Sequence, residues 1–523
     1  MKAASLTFAV ATLAAVFPTY AESVAPLTWT TCGTSVALPA NVAARTECTS
    51  LVVPRDYANR SEGTLRLNVI RVVAAGERGT RHDGALLLEP DEFAETIDVS
   101  VPMMASAWPE DDESWRNVAH RLDLVGLAQR RMDNAGGRDC LSATAQLPRH
   151  ASLGIDASFS NFLVAEDLAR AIATACQNDA MHAHIGTQAR IKDMDMLREA
   201  LGLPELHLLG IGRGGWVATR YAERYPQHVG RMILDGSWDA DGSVAEAMEA
   251  RVHERGRTIR RAVSGLVAAS DRYGWGTDSA AIHHRLGKLP SSAYSIWIRS
   301  IFSASELSAA LAMARLLERD TAMSVRSLRA SLATMPLATN VDDDHTVRAA
   351  AIRLLDLLEG DTESDPYGFG PRASRQAPAL VATAFARSCN DGYWGTSHAH
   401  WRERTRELHA AWPASVGNET FQGLVCSEWP GAFVQTAVPV LDHAPPFLML
   451  HAEFDDEAPL RNAAMMLQGH DQAHMVVARG LRSHGVITRM DRPCVSAAAG
   501  RFLADGTLPG AKLTNCRLPA PTR

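Results

Sequence analysis

The chain has 523 residues, 46% of them hydrophobic and 21% charged, enough to bury a large core and long enough for one big domain with an insertion or for two domains. Lysines and arginines number 52 against 59 acids, and the resulting net charge of -7 leaves no electrostatic footprint for nucleic acid or an anionic membrane surface.

Residues 1–21 read as a secretory signal: Lys2 supplies the short positive end, an apolar run extends from Leu6 to Phe17, and Thr19, Tyr20 and Ala21 precede a cleavage site before Glu22. The run is about a dozen residues, too short to span a bilayer, and no later stretch approaches the roughly 18 apolar residues that a span needs. The expected location is therefore secreted or periplasmic. Eight cysteines suit such a compartment, and their order (Cys32, Cys48, Cys140, Cys176, Cys389, Cys426, Cys494, Cys516) suggests four local bridges between successive members. Eight cysteines admit about 105 pairings, so the order alone does not select one. No C-x-x-C spacing occurs, and neither a metal cluster nor a cofactor is expected.

Short apolar runs rich in branched residues, each followed by a loop and a helix-like stretch, predict a mostly parallel sheet with helices on both faces. Seven strands are expected: Leu65 to Val73, alternating as an edge hairpin would, then Ala85 to Leu88, Leu122 to Leu127, Leu206 to Ile211, Met232 to Leu234, Phe447 to His451 and His474 to Ala478. Ahead of the fourth, Ile191, Met194, Leu197 and Leu201 share one face of a helix. From Trp238 to about Ala411 the strand signal gives way to helical stretches, Ser243 to Ala269, Ser305 to Met335 and Thr346 to Leu358, which predict an inserted helical cap. Turns at Asp342 to Asp344 and Asp361 to Pro371 are expected to separate those helices. This divides the chain into a signal (1–21), the first part of a core (22–238), the cap and post-cap segment (239–411) and the C-terminal part of the core (412–523).

The fourth strand runs into Gly210-Ile-Gly212-Arg-Gly214-Gly-Trp216 and then a helix from Val217 to Tyr225, the setting of a nucleophile elbow, G-x-S-x-G. The fit is G-x-G-x-G. A dinucleotide-binding G-x-G-x-x-G is disfavoured, because Gly215 comes one position early and the turn does not follow the first strand of its unit.

Nearly the whole mature chain resembles the tripeptidyl aminopeptidase-like branch of the α/β-hydrolases, grouped with prolyl aminopeptidases in peptidase family S33. The resemblance is carried by Cys48 with Val53-Pro-Arg-Asp-Tyr57, by Tyr221-Ala-Glu-Arg-Tyr-Pro226 followed by Arg231-Met-Ile-Leu-Asp-Gly236, by Cys389-Asn-Asp391, by Cys426 with Trp429-Pro430, and by Phe502-Leu-Ala-Asp-Gly-Thr-Leu-Pro509. It implies an α/β-hydrolase fold in which Asp455, in His451-Ala-Glu-Phe-Asp-Asp-Glu-Ala-Pro459, orients His484, in Ser483-His-Gly485, as the general base. On the residues alone, Asp455 also suits a cap for a helix starting near Pro459, and His484 a surface loop.

Gly212 stands where the family carries its serine. The family's G-G-P-G loop, whose N–H groups help form the oxyanion hole, reads Glu89-Pro-Asp-Glu-Phe-Ala-Glu-Thr96, placing acids where negative charge would develop. The family's D-P-R-G reads Ala128-Gln-Arg-Arg131. Glycine at the elbow would also relieve the strain a nucleophile endures there.

The expectation is a binding pseudoenzyme that holds a peptide or small molecule in a pocket under the cap, with a protein partner as a further option. The rival is an active secreted aminopeptidase or esterase using another nucleophile, Ser237 or Ser483 being candidates, or an activated water. Arg213 could hold an anionic ligand or, the favoured reading, pair with Asp91, Glu92 or Glu95. His182-Ala-His184 and His398-Ala-His400 place paired imidazoles on extended segments, better read as solvated loops than as zinc half-sites.

Overall fold

The computed structural model describes residues 25–33, 38–76, 82–91, 96–109, 112–132, 138–145, 153, 156–290, 293–294, 297–361, 377–395, 397–411, 418–429, 439–487 and 493–517. The expected signal at 1–21 lies outside the described residues, as do Glu92, Glu95 and residues 362–371.

Among the described residues ten strands form one sheet: β1 (Thr30–Thr31), β2 (Thr46–Pro54), β3 (Thr64–Val72), β4 (Gly84–Glu89), β5 (Leu122–Leu127), β6 (Leu206–Ile211), β7 (Val229–Asp235), β8 (Phe447–Phe454), β9 (Ala473–Arg482) and β10 (Leu513–Arg517). Their spatial order is β1-β2-β3-β5-β4-β6-β7-β8-β9-β10. The pairs β1–β2, β2–β3 and β3–β5 are antiparallel and every later pair is parallel. Every residue of β4 and β5 is buried, which is why they read as continuous apolar runs, whereas outlying β3 alternates between exposed and buried positions over its first half. All seven expected strands are present. The three additional ones are the short edge β1, β2 and β10, the last a polar segment with only Cys516 buried.

Helices cover both faces. Phe159–Gln177, Thr187–Ala200 and Arg213–Arg224 pack their apolar stripes into one core with β4, β6 and β7, and Ile97–Ser106, Glu113–Arg121 and Pro493–Asp505 pack into another on the opposite face. Between β7 and β8 the regular elements among the described residues are helices, and part of that insertion, from Ile259 to Leu355, encloses a third core of its own. Val244–Ala268 opens with a capping box, Ser243 and Glu246 each satisfying the other's backbone N–H.

Two expectations for the insertion are corrected. The stretch Ser305 to Met335 is two helices, Ala304–Leu317 and Val325–Thr334, because Asp320 accepts the Ala322 N–H in a turn and Ser324 restarts the chain as an N-cap. Asp342 to Asp344 do not separate helices but form the first turn of Val341–Asp361, where carboxylates complement the positive end of the helix dipole.

The described cysteines pair as Cys32–Cys48, Cys140–Cys176, Cys389–Cys426 and Cys494–Cys516, successive members in each case. No helix among the described residues is long and apolar enough to cross a membrane.

Candidate active site

The turn after β6 keeps the sharp reversal of a nucleophile elbow. Gly212 adopts φ 55°, ψ -121°, a combination open to glycine and costly for any residue with a Cβ, and the helix Arg213–Arg224 begins at once. Its N–H donates to the Asp235 carbonyl (3.0 Å), which anchors the turn to β7. The crossing is tight as well, since a Cβ on Gly214 would meet the Glu89 carbonyl oxygen at 2.0 Å. The strained conformation thus persists without a side chain to display.

The structure brings Gly212, Asp455 and His484 together. Asp455 follows β8, is fully buried, and accepts both the His484 Nδ1 proton (3.0 Å to Oδ2) and the N–H groups of Glu457 and Ala458 (2.9 Å each). It therefore both closes the turn ahead of the helix Leu460–Gly469 and faces the imidazole. His484 points its other nitrogen at Asp91: Nε2 lies 3.4 Å from Oδ2. The second oxygen of Asp91 accepts the Arg213 backbone N–H at 2.8 Å, the donor that at an elbow would serve the oxyanion. Burial alone would lower the imidazole's pKa, but Asp455 and Asp91 on its two edges hold it well above its ordinary value.

Asp235, at the end of β7, holds the His484 loop from below. It is completely buried and accepts the N–H groups of Val486 (2.8 Å to Oδ1) and Ile487 (2.8 Å to Oδ2). Burial pushes its carboxyl up to about 6, against the pull of those two donors. Asp235→Ala leaves two buried N–H groups without their acceptor at about 1–3 kcal/mol each, so unfolding free energy from urea melts should drop by about 2–6 kcal/mol. An unchanged midpoint would show that the loop does not lean on Asp235.

The altered loop after β4 splits by residue. Asp91 stands at the oxyanion position, whereas Glu89 turns away into a buried pair with Arg190 (2.5 Å). Arg130, of the Ala128-Gln-Arg-Arg131 segment, is buried against Asp193 (2.7 Å) and donates to the Pro54 carbonyl.

The Arg213 side chain is 2% exposed, pairs with Asp391 (2.5 Å) and donates to Ser388 (3.0 Å), with the Trp216 and Trp238 rings beside it; of its expected partners, Asp91 meets the Arg213 backbone N–H, and Glu92 and Glu95 lie outside the described residues. Asp391 also accepts from the backbone and hydroxyl of Thr187, while Asn390 accepts from Trp429 Nε1 (3.0 Å) and Cys389 is bonded to Cys426. The Cys389-Asn-Asp391 and Cys426…Trp429 segments thus meet behind the elbow. A narrow cleft there is lined by Glu89, Arg190, Arg213 and Gly214, and by neither Asp91 nor His484.

The paired histidines are not on extended segments. His182–His184 is a tight 3-10 turn in which His182 Nδ1 meets the Asp179 carbonyl, and His398 opens the helix His398–Ala411 against Glu166 and Glu428. No group of three or more ligating side chains among the described residues could hold a metal ion. Ser237 donates to the Trp238 carbonyl (2.9 Å) and Ser483 to the His484 carbonyl (3.4 Å), so neither hydroxyl addresses the His484 ring. Sequence reasoning placed acids of Glu89 to Thr96 beside the developing negative charge but did not link Asp91 to His484.

A mostly parallel sheet, an elbow after β6, an acid after β8 and a histidine after β9 define an α/β-hydrolase. Residues 177–342 match the family model of the alpha/beta hydrolase fold and residues 413–516 that of TAP-like protein. Tripeptidyl aminopeptidase of Streptomyces coelicolor is 25% identical over 496 residues, 92% of this chain and 84% of its own. Serine protease Hip1 of Mycobacterium tuberculosis is 29% identical over 229 residues, 42% of this chain and 41% of its own. The chain belongs to the TAP-like α/β-hydrolases.

Proposed function

We propose that this protein is an exported TAP-like α/β-hydrolase that has lost serine acyl transfer and binds a peptide or small molecule beneath its helical insertion. The observation that carries the reading is the elbow itself: Gly212 has no hydroxyl, and the Arg213 N–H is already engaged by the Asp91 carboxylate. In triad enzymes, removal of the serine costs about a millionfold in turnover, roughly 8 kcal/mol of barrier, and the remainder comes from the oxyanion hole and binding. A resident anion in the hole removes that remainder as well. Four disulfides support export, since such bonds persist in oxidising compartments. The similarity to a tripeptidyl aminopeptidase supports a peptide as ligand.

Exposure of the purified mature protein to a fluorophosphonate probe should label no serine, and aminoacyl and acyl esters should not be turned over. Stoichiometric labelling of any serine overturns the reading. The same site favours one further chemistry, because it does contain an oxygen nucleophile.

A further inference from the structure

We propose that Asp91 is the nucleophile of a displacement at saturated carbon, standing in for the side chain that Gly212 lacks, and that the substrate class is an uncharged alkyl compound carrying a leaving group. This goes beyond the loss of acyl transfer and does not depend on the bound ligand inferred above.

Position comes first. A Cβ built on Gly212 would fall 2.3 Å from Asp91 Oδ1, 2.5 Å from its Cγ and 2.7 Å from His484 Nε2. The carboxylate therefore fills the space into which an elbow residue would project, between the backbone N–H of Arg213 and the imidazole. Sheet register puts it there: β4 and β6 are parallel neighbours with Glu89 opposite Gly210, so two residues further on Asp91 comes level with Gly212. The side chains of Asp91 and His484 remain 25% and 20% exposed, whereas His484 Nε2 itself and the side chain of Asp455 are buried, so of the three groups the carboxylate of Asp91 is the one a substrate meets first.

Chemistry then selects the substrate. A carboxylate attacking an acyl carbon would produce a mixed anhydride, whereas attack on a saturated carbon produces an ordinary ester. In the first step an Asp91 Oδ2 lone pair forms the O–C bond, the bond from carbon to the leaving group breaks, and that group departs with the electron pair. Oδ1 becomes the ester carbonyl oxygen, still receiving the Arg213 N–H. In the second step water attacks Cγ and its proton passes to His484 Nε2. The tetrahedral oxyanion on Oδ1 is stabilised by the same N–H, and collapse releases the alcohol, protonated by the imidazole, and returns the carboxylate. The sum is alkyl–X plus water giving alcohol plus HX, with no other reactant.

The electrostatics change between the two steps in the required direction. With Asp91 ionised, two carboxylates flank the His484 ring and favour its protonated form. Esterification removes one of those charges, and an imidazolium that has lost an anionic partner gives up its proton more readily, so the base becomes available only after the ester exists.

The test is to trap the ester. His484→Asn keeps the nucleophile and removes the base, so the purified variant incubated with 1-bromobutane should gain one butyl group, mapped by mass spectrometry to Asp91. The adduct should persist at least about 100-fold longer than in the unsubstituted protein, which should release bromide catalytically. Asp91→Asn should take up no butyl group and release no bromide. The proposal is overturned if folded His484→Asn protein, checked by circular dichroism, stays unmodified by 1-bromobutane. It is equally overturned if Asp91→Asn is alkylated as fast. A serine labelled by fluorophosphonate would sink the reading under Proposed function and leave this one standing, so the two failures are distinct.

Discussion

Gly212→Ser by itself will not make this protein react with a fluorophosphonate, and Gly212→Ser combined with Asp91→Gly will. The single variant places a Cβ 2.3 Å from Asp91 Oδ1 and 2.7 Å from His484 Nε2, and asks a non-glycine residue to hold φ 55°, ψ -121°. Strain of that kind costs of the order of 1–3 kcal/mol, and the displaced carboxylate adds to it, so the single variant is also expected to melt earlier. Removing the Asp91 side chain clears the space, frees the Arg213 N–H for an oxyanion, and leaves His484 paired to Asp455 alone, as a serine's base requires. Because the family's glycine-rich loop is replaced by Glu89 to Thr96, a second donor to the oxyanion is missing, and absence of one donor typically costs about 10²–10³ in rate. The double variant should therefore label slowly yet clearly above the single one. Equal labelling of the two would show that Asp91 does not obstruct the elbow.

Arg213→Met is expected to lower the unfolding free energy by about 3–5 kcal/mol, because it strands the Asp391 carboxylate in the interior. The pair is closed at 2.5 Å with side chains 2% and 3% exposed, and it ties the start of the elbow helix to the helix Ala377–Asn390 through Ser388 and Asp391. Adding Asp391→Asn to Arg213→Met should cost far less than the same change in the unsubstituted protein, since the charge it removes no longer has its partner. Additive losses in urea melts would mean the two side chains do not act as a pair. The same buried pairing holds the post-cap segment against the start of the elbow helix.

Much of the architecture was legible because it rests on local chemistry. β4 and β5 are buried on both faces and so had to be continuous apolar runs, while Gly210, Gly212 and Gly214 mark a crossing too close for side chains. β2 and β10 escaped because neither alternates: four consecutive residues of β2 are partly exposed, and β10 owes its place to the Cys494–Cys516 bond and to pairing with β9. The break after Leu317 was obscured by apolar spacing that continues through both helices, since periodicity does not register a turn built on one aspartate.

Asp455 and His484 stood out because each follows a strand in a recognisable loop, and in a parallel sheet such loops gather at one edge. Asp91 stood out only as a charge. Its partners, Arg213 N and His484 Nε2, lie 122 and 393 positions further along the chain, and no spacing rule links them.

By itself the sequence determined the class of fold, the vacancy at Gly212 and the loss of the glycine-rich loop, since each is a matter of which residue occupies a position along the chain. Only the tertiary structure decided what fills the vacancy. Placing β4 beside β6, with β5 on its other side, is a long-range choice of strand neighbours, and that choice brings the Asp91 carboxylate level with the elbow, under the imidazole and onto the backbone N–H.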